Sequence, residues 1–282
     1  MRKSLVGILL LSIVIFGIAL PIGFSTQSHS KVISYGETTY NKQEYKSVVD
    51  DFFKQQANVD AKNVESKIIT ASEVNKVASK ITQKTYTSED IYSSALVDLS
   101  DPGNIKVTVD KSKITTITAD MYISALKSAG INHGHVYVTS PVAASGESAL
   151  TGIMNSYETA SDVKIPEKVK QAANDEISTE ADIVEKDNVS AQDLTKLVDN
   201  VKITVQNNNI TDHKTIVNII QNYTVNNNIN MTNSSIEKLA TSIGDVQSVQ
   251  GDVKGYSNQI TQVAGGNSGG FSLDQIFSKL GL

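Results

Sequence analysis

Between Ile91 and Tyr157 the spacing of apolar residues switches from two to three and four, back to two, and again to three and four. Each switch marks a change of secondary structure, because a strand repeats every two residues and a helix every 3.6. The stretches IYSSALVDL (91–99) and NIKVTVD (104–110) read as strands, and Ser100-Asp101-Pro102-Gly103 between them suits a turn, which predicts a β-hairpin. Thr118 then caps ADMYISALKSAG, with Met121, Tyr122, Ala125, Leu126 and Ala129 on one face and Gly130 as a left-handed stop. HVYVTSP alternates again and ends at Pro141, after which Ala149, Leu150, Ile153, Met154 and Tyr157 keep helical spacing. The order β, β, α, β, α predicts an α+β fold: a small sheet, made of the hairpin and one further strand, covered by helices.

The flanks extend this layer. Asn41-Lys42-Gln43-Glu44 places a capping side chain three residues before a glutamate, and Tyr45, Val48, Val49, Phe52 and Phe53 follow at helical spacing, predicting a helix over 41–56. Ile68 and Ile69 suggest a short strand and 72–81 a helix. Beyond Ser161 the strand signals fade and an all-helical C-terminal region begins, with Pro166 and Glu167 at a helix start. Stripes at Leu194, Leu197, Val198, Val201 and Val205, and at Ile216, Ile219, Ile220 and Tyr223, give two more helices. From Ile236 the spacing is heptad-like but interrupted by Gln250 and Ser257 and weakened by Gly244, Gly251 and Gly255, which favours a long helix packed on its neighbours over a free coiled coil. Gly265, Gly266, Gly269 and Gly270 form a spacer before the amphipathic FSLDQIFSKLGL, expected to dock back on the body. The expected division is a leader over 1–25, an α+β domain over 32–160, a helical region over 161–263 and a spacer with a terminal helix over 264–282.

Arg2 and Lys3 precede an uncharged apolar run from Leu5 to Phe24, the pattern read by the export machinery, which makes the chain extracytoplasmic. The run is close to the ~20 residues that span a bilayer, so it serves either as a signal peptide cut after Ser25 or as an N-terminal membrane anchor. No other segment is expected to meet the membrane. Among 282 residues there is no cysteine, so disulfides and thiolate chemistry are excluded and the fold holds by packing. A net charge of −5 without a dense Lys/Arg cluster argues against nucleic acid as a partner.

Gly146-Glu147-Ser148-Ala149 resembles most of an esterase nucleophile turn, which needs glycine two residues before and two after the serine. Position 150 is Leu, and a Pro-containing connection separates Ser148 from the strand end. The stretch therefore reads as a helix start, with Ser145 as N-cap and Glu147 favoured by the helix dipole. His133-Gly134-His135 brings two imidazoles close together, yet only His29 and His213 remain as further histidines; a loop is the expectation and a metal site is not. No cofactor is expected. Glu147 and Glu158 read as solvated surface carboxylates. Ser140, Pro141, Ser145, Gly146 and Glu147 are the residues expected to line a binding pocket between strand and helix. Asn188, Asn209, Asn222, Asn230 and Asn233 begin Asn-x-Ser/Thr triplets, candidate glycosylation acceptors in an exported chain. QNNNI before TDHKTI echoes VNNNINMTN, whose last two letters open TNSSI, as a repeat of loop, cap and helix.

In ITTITADMYISALKSAGINHGHVYVTSPVAASGESALTGIMNSYETA (114–160), Thr118, Met121, Tyr122, Ala125, Leu126, Ala129 and Gly130 are followed by Ser140-Pro141, Ser145-Gly146, Ala149-Leu150-Thr151-Gly152 and Tyr157-Glu158. This pattern resembles the YpuA-like exported protein family, domain of unknown function 1002, over about Val32 to Val253. The resemblance implies a location outside the cytoplasmic membrane and no established activity, ligand or catalytic residue. The two histidines and the Asn-rich C-terminal part depart from the family pattern. The leading expectation is a non-enzymatic cell-envelope protein that binds another envelope component. The alternatives are a hydrolase acting on wall polymer or peptide, using Ser148 or His133, His135 and Glu147, and a secreted adhesive protein that self-associates through its tail.

Overall fold

The computed structural model describes residues 30–101 and 103–263. The leader over 1–25 and the spacer and terminal helix over 264–282 lie outside the described residues, as does Pro102. In chain order the elements are β1 (Lys31–Gly36), α1 (Glu37–Asn41), α2 (Gln43–Ala57), β2 (Glu65–Ile69), α3 (Ala71–Lys76), β3 (Ser94–Asp98) and β4 (Lys106–Val109), followed by α4 (Ala119–Ser128), β5 (His135–Thr139) and α5 (Ala149–Ser161). Four long helices complete it: α6 (Glu167–Asp187), α7 (Ala191–Asn207), α8 (His213–Asn226) and α9 (Asn233–Val263).

The five strands form one mixed sheet in the order β2-β1-β3-β5-β4. This corrects the hairpin expected over 91–110. β5 lies between β3 and β4, antiparallel to the first (Leu96↔Tyr137) and parallel to the second (Val107↔Val136). The reason is burial: Val136, Tyr137 and Val138 are covered on both faces and need a neighbour on each side, whereas β4 is half-exposed along its length and suits an edge. β1, which the sequence reading did not anticipate, pairs with β2 in parallel and β3 antiparallel.

Alternation along the strands sends Val32, Ala95, Val97, Val136 and Val138 to one face, where they pack with residues of α4 and α5. Ile33, Tyr35, Leu96 and Tyr137 point to the other and pack under Val49 and Phe53 of α2. Thr118 caps α4 through Met121 N–H (3.3 Å), and Gly130 takes φ +70° as the stop, both as read from the sequence. The helix expected from Asn41 begins instead at Gln43, with Lys42 at the cap and no side-chain capping bond. Asn41 is used up by α1, which segment 88–92 holds from a distance: Ile91 O accepts Thr38 N–H (3.1 Å) and Tyr92 O accepts the Thr39 hydroxyl (2.6 Å). Over 72–81 the helix is shorter than expected, because Gln171 and Asp175 bind Ala78 O (2.8 Å) and Lys80 N–H (2.9 Å) and pull the chain onto α6.

A second core joins the end of α6 to α7, α8 and the first part of α9. The rest of α9, from Val246 to Ile260, packs back on the α/β core with α6, so the long helix is a packed one. The Asn tracts are helix stops. Asn209 and Asn228 take φ +49° and +54°, and one residue on, Ile210 and Ile229 donate back to Val205 O and Thr224 O at 2.9 Å. Asp212 then caps α8 and Thr232 caps the start of α9. Short polar side chains tolerate the left-handed region by bonding locally, so the echo in sequence is one device used twice. Among the described residues no helix is long and apolar enough to cross a membrane.

Candidate functional site

The connection from β5 to α5 is woven into the body by backbone bonds. Ala144 N–H donates to Lys113 O (3.0 Å), Ala144 O accepts Thr115 N–H (2.9 Å), and Ser145 O accepts Ile117 N–H (3.0 Å). Gly146 has φ +101°, and a Cβ there would meet the Tyr122 hydroxyl at 2.7 Å and Ile114 Cγ2 at 2.8 Å. Only glycine fits, and the Tyr122 hydroxyl, its pKa pushed up by burial, donates to Gly146 O at 2.5 Å. Ser140, Pro141, Gly146 and Glu147 are buried and Ser145 is half-buried, so the residues expected to line a pocket form a packed connection; the Ser140 hydroxyl has no hydrogen-bond partner among the described residues.

Ser145 does not cap α5. That position is taken by Ser148, with φ −64° and ψ −20° and no side-chain capping bond. An ordinary helical backbone and 8% exposure differ from the strained, exposed apex of a nucleophile turn. No histidine is bonded to Ser148 among the described residues. His135 shares hydrogen bonds with Tyr137 (3.0 Å) and Thr108 (2.9 Å), and His133 Nδ1 lies 3.3 Å from Gly103 O. With both its nitrogens engaged, and its pKa lowered first by burial and then by Lys106, His135 is a neutral, satisfied side chain. No group of three metal-ligating side chains occurs among the described residues. His135 is instead the middle of a row across the sheet, Lys31↔Asp98↔His135↔Lys106.

Glu147 and Glu158 correct the expectation of solvated carboxylates. Both are buried: Glu147 meets Lys84 Nζ at 2.6 Å and accepts from the Tyr86 hydroxyl at 3.2 Å, and Glu158 meets Lys170 Nζ at 2.9 Å and accepts Ile165 N–H at 2.8 Å. The lysine on Glu147 comes from 63 residues away, beyond the reach of local spacing.

A denser polar cluster, missed in the sequence, lies where α4, α6 and α7 meet. Lys202 Nζ donates to Glu176 Oε1 (2.6 Å), Ser124 Oγ (2.6 Å) and Ser128 Oγ (3.0 Å). Ser128 donates to Glu176 Oε2 (2.6 Å) and Ser124 to Asp199 (2.6 Å). The signal was present as Ser124/Ser128 and Glu176/Glu180 four apart and Asp199/Lys202 three apart, each pair on one helix face. A serine beside a lysine suggests nucleophile and base, but the chemistry is wrong. Burial opposes the ammonium charge, while Glu176 and Asp199 outweigh it and raise the Lys202 pKa, so the amine stays protonated and takes no proton from Ser124. The cluster is a lock between the sheet layer and the helical region.

Glu180 lies fully buried one turn from Glu176, with no hydrogen-bond partner on either oxygen among the described residues. The neighbouring Thr195 hydroxyl donates to Ala191 O instead (2.9 Å). Burial first, and then the Glu176 charge, push its pKa well above the ordinary carboxylate value, with Asp199 adding and Lys202 opposing. A folded-state pKa above the unfolded one means that the folded state binds the extra proton. Stability is then full below the ordinary glutamate pKa and falls as pH rises toward the folded value. Glu180→Gln keeps shape and removes this loss: thermal unfolding midpoints should match the parent near pH 4 and exceed it increasingly through neutrality. A variant that is less stable than the parent at pH 8 contradicts this.

A cleft of about 550 Å³ opens between the end of α3, α6 and α9. Lys76, Lys80 and Lys168 supply positive charge, Glu167, Asp175 and Asp245 negative, and Ala172 and Val249 an apolar floor. Lys76 pairs with Glu167 (2.5 Å) and Lys168 with Asp252 (2.7 Å). Burial, and then the Asp175 charge, raise the Asp245 pKa. The five sequon asparagines are all exposed. Asn188 and Asn209 occupy left-handed stops, Asn222 lies within α8, Asn230 in the α8–α9 connection, and Asn233 opens α9.

The family model described as "Protein of unknown function (DUF1002)" matches residues 35–263. The chain is similar to the "Uncharacterized protein YpuA" of Bacillus subtilis (strain 168), 28% identical over 211 residues that cover 73% of this chain and 72% of the relative. No solved structure matches it.

Proposed function

From the premise that this chain belongs to the DUF1002 family, we propose that it is an extracytoplasmic, non-enzymatic protein that binds a component of the cell envelope through the cleft between α3, α6 and α9. The cleft carries this reading: its volume of about 550 Å³ falls in the range of ligand sites. Its walls offer charges of both signs around an apolar floor, which suits a ligand carrying both amino and carboxylate groups, such as a peptide stem. The apolar run Leu5–Phe24 supports delivery across the cytoplasmic membrane. The non-enzymatic part rests on Ser148, which has helical backbone and no bonded histidine among the described residues, and on Lys202, which stays protonated beside Ser124.

The test is retention. The purified chain, immobilised and washed with envelope fractions at low and moderate salt, should retain a component that Lys80→Glu combined with Asp245→Lys releases. Failure to retain any component, or retention unchanged in that variant, overturns the proposal.

A further inference from the structure

Among the described residues β2 is an edge of the sheet, and it combines a guarding charge with exposed apolar surface beside it. Exposed edge strands invite pairing, and proteins blunt them with a central lysine. β2 reads Glu65-Ser66-Lys67-Ile68-Ile69, with Lys67 at its centre. Ile68 is 39% exposed on the α2 face, beside its registered neighbour Tyr35, whose ring lies 5.9 Å from that of Tyr40, itself 41% exposed. Val48 of α2 is also exposed, so three of the four large exposed apolar side chains among the described residues belong to β2 and the helices on that side.

The charges select one occupant and one register. In an antiparallel pairing of β2 with itself about Lys67, lysine faces lysine and the pairing is repelled. Moved by one residue, about Ser66, Glu65 faces Lys67 of the second copy twice over, and Ile68 faces Val64, a half-buried residue packed on the α2 core. The lysine that repels the first register closes two opposite-charge pairs in the second. A two-fold axis normal to the sheet keeps like faces together, so the exposed apolar strip continues across the joint.

We propose that two copies of this chain associate edge to edge through antiparallel β2 strands, with Ser66 facing Ser66 of the second copy. The absence of cysteine from the chain gives a clean test. Directly opposed antiparallel residues have Cα atoms about 4.5–5.5 Å apart, within reach of a disulfide. Full-length Ser66→Cys, oxidised mildly and run without reductant, should give a band at twice the chain mass. Adding Lys67→Glu should lower the yield roughly tenfold, since two attractive pairs become repulsive, and adding Glu65→Lys to that variant should restore it. Thermal melting of each variant verifies folding, because Ser66 is exposed and Lys67 half-exposed. The proposal is overturned by any of these outcomes: no dimer band, a yield insensitive to Lys67→Glu, cross-linking to other proteins instead, or equal cross-linking by Ser234→Cys, exposed at the start of α9.

Discussion

Lys202→Met should lower the stability of this protein by about 3–5 kcal/mol, the loss expected when one member of a buried ion pair is removed. Glu176 has no solvent exposure, and the ammonium 2.6 Å away is its counter-charge. Methionine fills the space of the lysine stem but leaves the carboxylate held by the Ser128 hydroxyl (2.6 Å), with the single Ser124 proton shared between Asp199 (2.6 Å) and Glu176 (3.1 Å). For a body of this size the loss corresponds to a fall of roughly 6–20 °C in the unfolding midpoint. Glu176→Gln together with Lys202→Met removes both charges, and it should recover most of the difference, since a neutral pair in a buried site is tolerated far better than a lone charge. Calorimetry of the parent, the two single variants and the double variant measures the coupling. Additive losses would mean that the pair does not act as a unit.

The second large effect is steric. A Cβ on Gly36 would sit 2.2 Å from Ile91 O and 2.9 Å from Ser93 O. The backbone there, φ −61° and ψ 143°, suits any residue, so conformational freedom is not the reason for glycine. Ile91 O already accepts Thr38 N–H, and Ser94 Oγ accepts Gly36 N–H (3.2 Å), which ties the end of β1 to the start of β3. Gly36→Ala must move backbone and should cost on the order of 3 kcal/mol, the upper part of the overpacking range. Gly251→Ala and Gly255→Ala supply the contrast. Both are exposed in α9 with nothing within 4 Å of the added carbon, so each should stabilise by about 0.5–1 kcal/mol. Urea midpoints compare all three, and a neutral Gly36→Ala would show that the β1–β3 crossing relaxes easily.

Much of the fold was legible in sequence because periodicity is local. Met121 to Ala129 and Ala149 to Tyr157 form α4 and α5 where their spacing predicted, with Thr118 as cap and Gly130 as stop. β1 was harder to see: it is only six residues long, and their burial on both faces shows only when α2 and α5 are in place. Asn41 failed as a cap for a similar reason, since contacts from 88–92 claimed it for another helix. The candidate site was the least legible part. Glu147, Glu158 and Glu176 look alike in sequence as surface carboxylates, and each is buried against a lysine from another segment.

The amino-acid sequence by itself determined the α+β class, the Thr118 cap and Gly130 stop of α4, and the unsuitability of Ser148 for a nucleophile turn, because all of these follow from interactions a few residues apart. Only the tertiary structure decided that β5 parts β3 from β4 and which lysine neutralises each buried carboxylate. Strand order and charge pairing are settled by burial, and burial depends on residues brought together across distances along the chain that no local spacing encodes.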